Sequence, residues 1–167
     1  TGGCRAFDAD ADGYVRGEGA GVILVKPLAR AEADGDRILG VIKGSAVNHG
    51  GRARSLTSPS AFAQSRLVVD VYRDAGIDPE TVTYVEAHGT GTPLGDPIEI
   101  NGLRRAFGRL FREAGRSVPD EPYCGIGAVK SNIGHLEGAA GIAGVIKTLL
   151  CLKHKQLPPL AGWKRPN

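Results

Sequence analysis

The sequence contains no methionine and one tryptophan, and aromatic residues fill only 5% of its 167 positions. No stretch approaches the ~18 uninterrupted apolar residues that a membrane-spanning helix needs. No basic segment followed by an apolar core opens the chain, so neither a bilayer span nor a secretory leader is expected. An excess of one charge is also missing. Lys and Arg number 21 against 18 Asp and Glu, a net charge of +3 with the signs mixed along the chain. That balance offers no footprint for nucleic acid or for an anionic membrane. Cys4, Cys124 and Cys151 are odd in number and form no C-x-x-C pair, so neither a disulfide framework nor a zinc site follows. Reduced thiols in a cytoplasmic protein are the expectation. Gly125-Ile-Gly127 lacks the third glycine of a dinucleotide fingerprint, and no G-x-x-x-x-G-K-[ST] phosphate loop occurs.

What is present is an ordinary globular balance, 41% apolar and 23% charged, with an unusual 25 glycines. The glycines are about twice as frequent as in an average protein, and they cluster in short loops between apolar runs. That pattern suits a backbone that must come close to itself or to a ligand. Residues 21–28 and 38–47 are apolar and β-branched, and predict two consecutive strands. A glycine-rich loop covers 48–55. Ser58-Pro59 predicts a helix start, and that helix ends at about Gly76. Residues 82–87 predict a short strand.

Asp96, Pro97 and Glu99 then read as the N-cap, first turn and third residue of a capping box. Leu103, Phe107, Leu110, Phe111 and Ala114 give that helix one apolar face, and Gly115 ends it. Residues 124–129 predict another strand, 130–135 a loop, and 136–154 a long, deeply buried helix. Its glycine- and alanine-rich first half lets it press on a neighbouring backbone. Strand, loop and helix repeated in this way define an α/β layered architecture.

Two histidines occupy matching places. His88 follows one strand in His88-Gly-Thr-Gly-Thr-Pro-Leu-Gly-Asp-Pro97, and His135 follows another in Lys130-Ser-Asn-Ile-Gly-His135. Ligands of open α/β sheets bind beyond the carboxyl ends of the strands, where both loops lie. Each histidine could simply cap its loop through hydrogen bonds. As a pair, two neutral imidazoles could present N–H groups to one oxygen, which suits a thioester carbonyl passing to an enolate or alkoxide.

The two loops resemble the signature loops of β-ketoacyl synthases, most closely the ketosynthase domains of modular polyketide synthases. The opening Phe7-Asp-Ala-Asp-Ala-Asp-Gly-Tyr-Val-Arg-Gly-Glu-Gly19 and residues 149–155 resemble the same family, so the likeness covers nearly the whole chain. It implies a thiolase-like, layered α-β-α fold. Residues 1–167 would form one partial domain, truncated at both ends: the end of an N-terminal half and most of a C-terminal half. It also implies decarboxylative Claisen condensation in polyketide or fatty acid biosynthesis. The substrates would ride on the phosphopantetheine of an acyl carrier protein, with no other cofactor or metal, and the complete domain would be a homodimer.

Carried over, His88 and His135 would stabilise the enolate and the thioester oxygen. Lys130 would organise the site electrostatically, with Glu137 as a possible partner. The resemblance implies a nucleophilic cysteine on a sharp turn before a helix, upstream of the Phe7 motif, and none of Cys4, Cys124 and Cys151 fits that setting. The isolated chain is therefore expected to be inactive. A different-class alternative is a non-catalytic remnant that docks a carrier protein or another partner. A third reading keeps decarboxylation of malonyl thioesters by the histidine pair alone.

Other signals carry less. Asp8-Ala-Asp-Ala-Asp-Gly13 imitates the start of a calcium loop, but its twelfth position is Gly19 rather than Glu. A tight Asp-Gly turn accounts for it. His49 reads as a polar loop residue near the site, His154 as a solvated helix end, and Trp163 as packing.

Overall fold

A computed structural model describes residues 2–51 and 58–167. The elements run α1 (Leu28–Ala33), α2 (Ala61–Asp74), β1 (Tyr84–Glu86), α3 (Gly95–Glu113), β2 (Gly125–Gly127), α4 (Lys130–Ile133) and α5 (Ala140–His154), with 3-10 turns at Pro79–Thr81 and Glu137–Ala139. β1 and β2 are parallel neighbours, pairing Tyr84 with Gly125 and Glu86 with Gly127. Side chains alternate across a strand. Accordingly Glu86 meets Lys147 of α5, whereas Ala87 packs with Phe7, Ala128 and Ile100 of α3. Helices thus cover the sheet on both faces, the expected α-β-α layering. A second cluster, Val69, Ala106 and Leu110, joins α2 to α3. Among the described residues no helix is long and apolar enough to cross a membrane.

The two strands expected over 21–28 and 38–47 do not form. Their backbone groups find no ladder partners among the described residues, and without a ladder there is no strand. Both stretches still lie against helices. A Cβ added at Gly21 would meet Ile142 and Ile146 of α5, and one at Gly40 would meet Leu149 and Leu152. Leu28, placed in the first strand by its apolarity, instead opens α1 behind Pro27. Residues 52–55 of the glycine-rich loop lie outside the described residues.

The helix expected from Ser58-Pro59 starts two residues later. Ser60 is its N-cap, and the Ser60 hydroxyl accepts from the Ala63 N–H at 3.2 Å. Gly76, at φ +61°, closes the C-terminus as expected. The expected burial of α5 is overturned. None of its residues is fully buried, and Val145, Leu150 and Leu152 are exposed. Its first turn, from Glu137, is a 3-10 turn. Residues 130–133, expected as loop, make the one-turn helix α4.

The capping box is also not what the chain builds. Asp96 is one residue inside α3 and 1% exposed. Its Oδ2 accepts from the Phe7 N–H at 2.7 Å, and its Oδ1 from the N–H groups of Gly91 at 3.2 Å and Thr92 at 3.4 Å. Asp8, also buried, does comparable work at the other end. It accepts from the N–H groups of Asp10, Lys164 and Arg165, and these bonds, Asp10 first, hold its carboxyl below the usual aspartate range. Trp163 adds an indole N–H donated to the Phe7 carbonyl at 3.1 Å. The Asp-rich opening is therefore a fastening between the two ends of the described chain.

A buried donor left without its acceptor costs about 1–3 kcal/mol, and Asp96 serves more than one. Asp96→Ala is expected to destabilise the fold by roughly 3 kcal/mol or more, read as a lowered midpoint in chemical denaturation. A midpoint within experimental error of the parent would show that Asp96 is not the fastening described.

Candidate functional site

The parallel pairing of β1 and β2 brings two loops to one end of the sheet. His88 lies two residues beyond β1 and Lys130 three residues beyond β2. His135 is reached through α4 and then Gly134, which turns the chain at φ +75°. A Cβ there would sit 3.0 Å from the Val15 carbonyl, so the turn has room only for glycine. His135 is then fixed by its backbone: its N–H donates to Val15 O at 2.7 Å, and its carbonyl accepts from the Gly17 N–H at 3.0 Å.

The result is an imidazole pair. The rings of His88 and His135 have centroids 5.5 Å apart and meet edge to face at 83°. The Tyr14 ring also lies against His135, tilted by 51° with centroids 5.1 Å apart. The Nδ1 of His135 accepts from the Glu137 N–H at 3.0 Å, so a neutral ring carries its proton on Nε2. His88 is held below the ordinary histidine range, chiefly by desolvation and then by its neighbours Lys130 and His135.

Lys130 is 4% exposed, and no carboxylate lies at ion-pair distance from it among the described residues. Burial lowers its pKa. Glu99, Glu86 and Cys4 act the other way by stabilising the ammonium. Glu137, the partner considered from sequence, pairs instead with Arg16 at 3.4 Å on the surface.

Glu99 is the residue that sequence reasoning misassigned. Its two oxygens accept from the N–H groups of His88 at 2.7 Å and Gly89 at 2.8 Å, so it grips the histidine loop rather than capping α3. Burial raises its pKa, opposed by those two hydrogen bonds and by Lys130. The signal was there in the sequence: a carboxylate eleven positions after His88, on the first turns of the helix that His88 leads into.

Of the three thiols, only Cys4 is among the groups that act on Lys130. The Cys4 Sγ is buried and accepts from the Val15 N–H at 3.2 Å. Burial pushes the Cys124 thiol up, and Cys151 lies within α5. All three are free. His49 accepts from the Gly51 N–H at 2.9 Å within its own loop, and His154 is exposed as the last residue of α5.

Residues 39–164 match the family model described as the C-terminal domain of β-ketoacyl synthase, and residues 1–31 match the N-terminal domain. Polyketide synthase ThaG of Burkholderia thailandensis is 62% identical over 167 residues, 100% of this chain and 3% of that protein. Polyketide synthase PksN of Bacillus subtilis is 60% identical over 154 residues, covering 92% and 3%. The ketosynthase from module 6 of the Bacillus subtilis bacillaene synthase superposes with a TM-score of 0.90 at 49% identity, over 99% of this chain and 28% of that one. An oxazolomycin ketosynthase domain of Streptomyces albus gives 0.91 at 46%, over 99% and 27%. The chain therefore spans a small part of the proteins it matches, and its fold is thiolase-like, as expected.

Replacing Lys130 by Met removes the second contribution to the His88 shift but leaves the desolvation. The His88 titration midpoint, followed by NMR, is expected to rise part of the way towards the ordinary value. The melting temperature should hold or increase, because an unpaired buried charge is removed. An unmoved midpoint would place Lys130 too far from His88 to act on it.

Proposed function

The chain belongs to the β-ketoacyl synthase family, and from that premise we propose that it is the histidine-bearing part of a polyketide-synthase ketosynthase that carries out decarboxylative condensation. The observation that carries this reading is the His88–His135 pair, 5.5 Å apart at the ends of two parallel strands with the buried Lys130 beside it. In the reaction, an acyl group waits as a thioester on a cysteine. A malonyl thioester, carried on the phosphopantetheine of an acyl carrier protein, loses carbon dioxide, and the electrons of the broken C–C bond become an enolate. The enolate carbon attacks the acyl carbonyl, and the cysteine thiolate leaves with its electron pair.

Negative charge develops on a thioester oxygen when carbon dioxide leaves, and on the acyl carbonyl during attack. Neutral N–H donors placed in advance stabilise such charge without reorganising. His135 supplies Nε2–H because its Nδ1 is already occupied. His88 is kept neutral at physiological pH by its desolvation and by nearby positive charge. Lys130 contributes a fixed positive field rather than a proton. In this reading the waiting cysteine is supplied from outside residues 1–167, as the family resemblance implies, and none of Cys4, Cys124 and Cys151 takes that role. Residues 1–167 are one partial domain, and the complete domain works as a homodimer served by carrier proteins.

In the complete ketosynthase domain, His88→Ala and His135→Ala are each expected to lower condensation about 10²–10³-fold, the usual loss for one oxyanion donor. Loading of the cysteine by an acyl thioester, read as an intact-mass increase, should persist within a few-fold. Condensation undiminished in either variant would sink the proposed roles.

The depressed pKa of His88 also sets a pH dependence. A group whose folded pKa lies below its unfolded value binds fewer protons when folded, so stability rises with pH across that window. The contribution is complete above about 6.5, the ordinary histidine value, and is lost as pH falls towards the folded value. Acidification through pH 6 should therefore lower the denaturation midpoint of the parent more than that of His88→Gln. Parallel curves would refute the assignment.

A further inference from the structure

We propose that Glu86, clamped by Lys147, is a positioning residue for Lys130. It anchors the backbone entry to α4 and sets a negative charge against the buried ammonium. The inference rests on the reading of Lys130 as the cation of the site.

The geometry comes from three elements. Glu86 ends β1, and its Oε1 accepts from the Val129 N–H at 2.5 Å, the residue that leads directly into Lys130. Its Oε2 takes the Tyr84 hydroxyl at 2.5 Å and the Lys147 ammonium, from α5, at 2.8 Å. The pair is secluded, with side-chain exposures of 10% for Glu86 and 12% for Lys147. Lys147 also stands over the Tyr84 ring, 5.7 Å from its centroid.

Two glycines clear the space. A Cβ at Gly127 would collide with the Tyr84 hydroxyl and come within 3.0 Å of Lys147 Nζ, and a Cβ at Gly144 would lie 3.2 Å from Glu86 Cγ. A secluded ion pair is a poor source of net stability, because desolvating both charges offsets their attraction. Well-packed apolar residues would serve a purely structural purpose at least as well. Charge at this position has another use: Glu86 is one of the groups that stabilise protonated Lys130.

Lys130 is addressed from every side by groups that can carry charge. Glu99 faces it from α3, Glu86 from β1, Cys4 from the N-terminal segment and His88 from the loop after β1. Glu86 differs from Glu99 in holding the backbone of the lysine's own element. Lys147 differs from Lys130 in touching Glu86 directly, which holds the carboxylate in its orientation.

The test is the titration of Lys130, followed by NMR in lysine-labelled complete ketosynthase domain, with Lys130→Met identifying its signal. Glu86→Gln retains an acceptor for Val129 but removes the charge, and should lower the Lys130 midpoint by roughly one pH unit. Lys147→Met leaves the Glu86 charge unneutralised and should move the midpoint upwards. The double variant Glu86→Gln/Lys147→Met removes both charges, and should fold stably with a midpoint between the two single variants.

A Lys130 midpoint common to all three variants and the parent would overturn the proposal, leaving the pair as packing only. The readout does not depend on turnover. If the midpoints move as expected while Lys130→Met leaves condensation undiminished, the role of Lys130 in the reaction fails and the positioning by Glu86 stands.

Discussion

The architecture depends on one buried carboxylate. Asp96 collects a backbone N–H from Phe7, 89 positions earlier in sequence, and two more from the loop that carries His88. It is nearly inaccessible to water, so each of these donors would otherwise face an interior with no solvent to satisfy it. The aspartate therefore joins the opening segment, the His88 loop and the start of α3 into one rigid corner. Three short elements alone could not achieve this by apolar packing. The cluster beside them is mostly alanine, with Phe7 as its large member.

The same economy of side chains runs through the site. Both loops are held by carboxylates accepting backbone N–H groups: Asp96 and Glu99 for the loop of His88, Glu86 for the entry to Lys130. Such bonds are charge-assisted and roughly twice as strong as neutral ones. Glycine completes the scheme by letting backbones meet. The extended run through Gly17, Gly19 and Gly21 lies against Ile133, Leu136 and Ile142, where alternate side chains would have no room. The extended segment and the start of the last helix can then lock His135 between them.

Much of this was legible in the sequence, and the failures share a cause. Strand–loop–helix order, the C-terminal glycines at Gly76 and Gly115, and the placement of both histidines beyond parallel strands follow from local patterns. Those patterns are written in neighbouring residues. What misled was local chemistry overridden by distant partners. Asp96 and Glu99 have the spacing of a capping box, yet each spends its oxygens on a loop or segment outside the helix. Residues 21–28 and 38–47 have strand composition, yet a strand also needs a neighbour, which composition does not contain. The burial expected of α5 from its apolar second half failed likewise: Leu150 and Leu152 are apolar but remain exposed. Glu86 drew no notice because it appears as one polar residue in a short strand, and its three partners are residues 84, 129 and 147.

The register of two strands explains why the site is compact. Parallel pairing of Glu86 with Gly127 places the next few residues of both chains at the same level. His88 and Lys130 are two and three steps beyond that level, so they become neighbours without any side chain having to reach. His135 cannot arrive this way, being five residues further along than Lys130. It is returned by the single turn of α4 and the left-handed Gly134, and pinned beside Arg16. A one-residue slip of β2 against β1 would carry Lys130 to the opposite face and separate Glu86 from the Val129 N–H. Glu86 thus sits at the register-defining pair of the sheet and at the entry to the lysine's helix. The carboxylate that ends β1 ties the sheet's register to the backbone that presents Lys130.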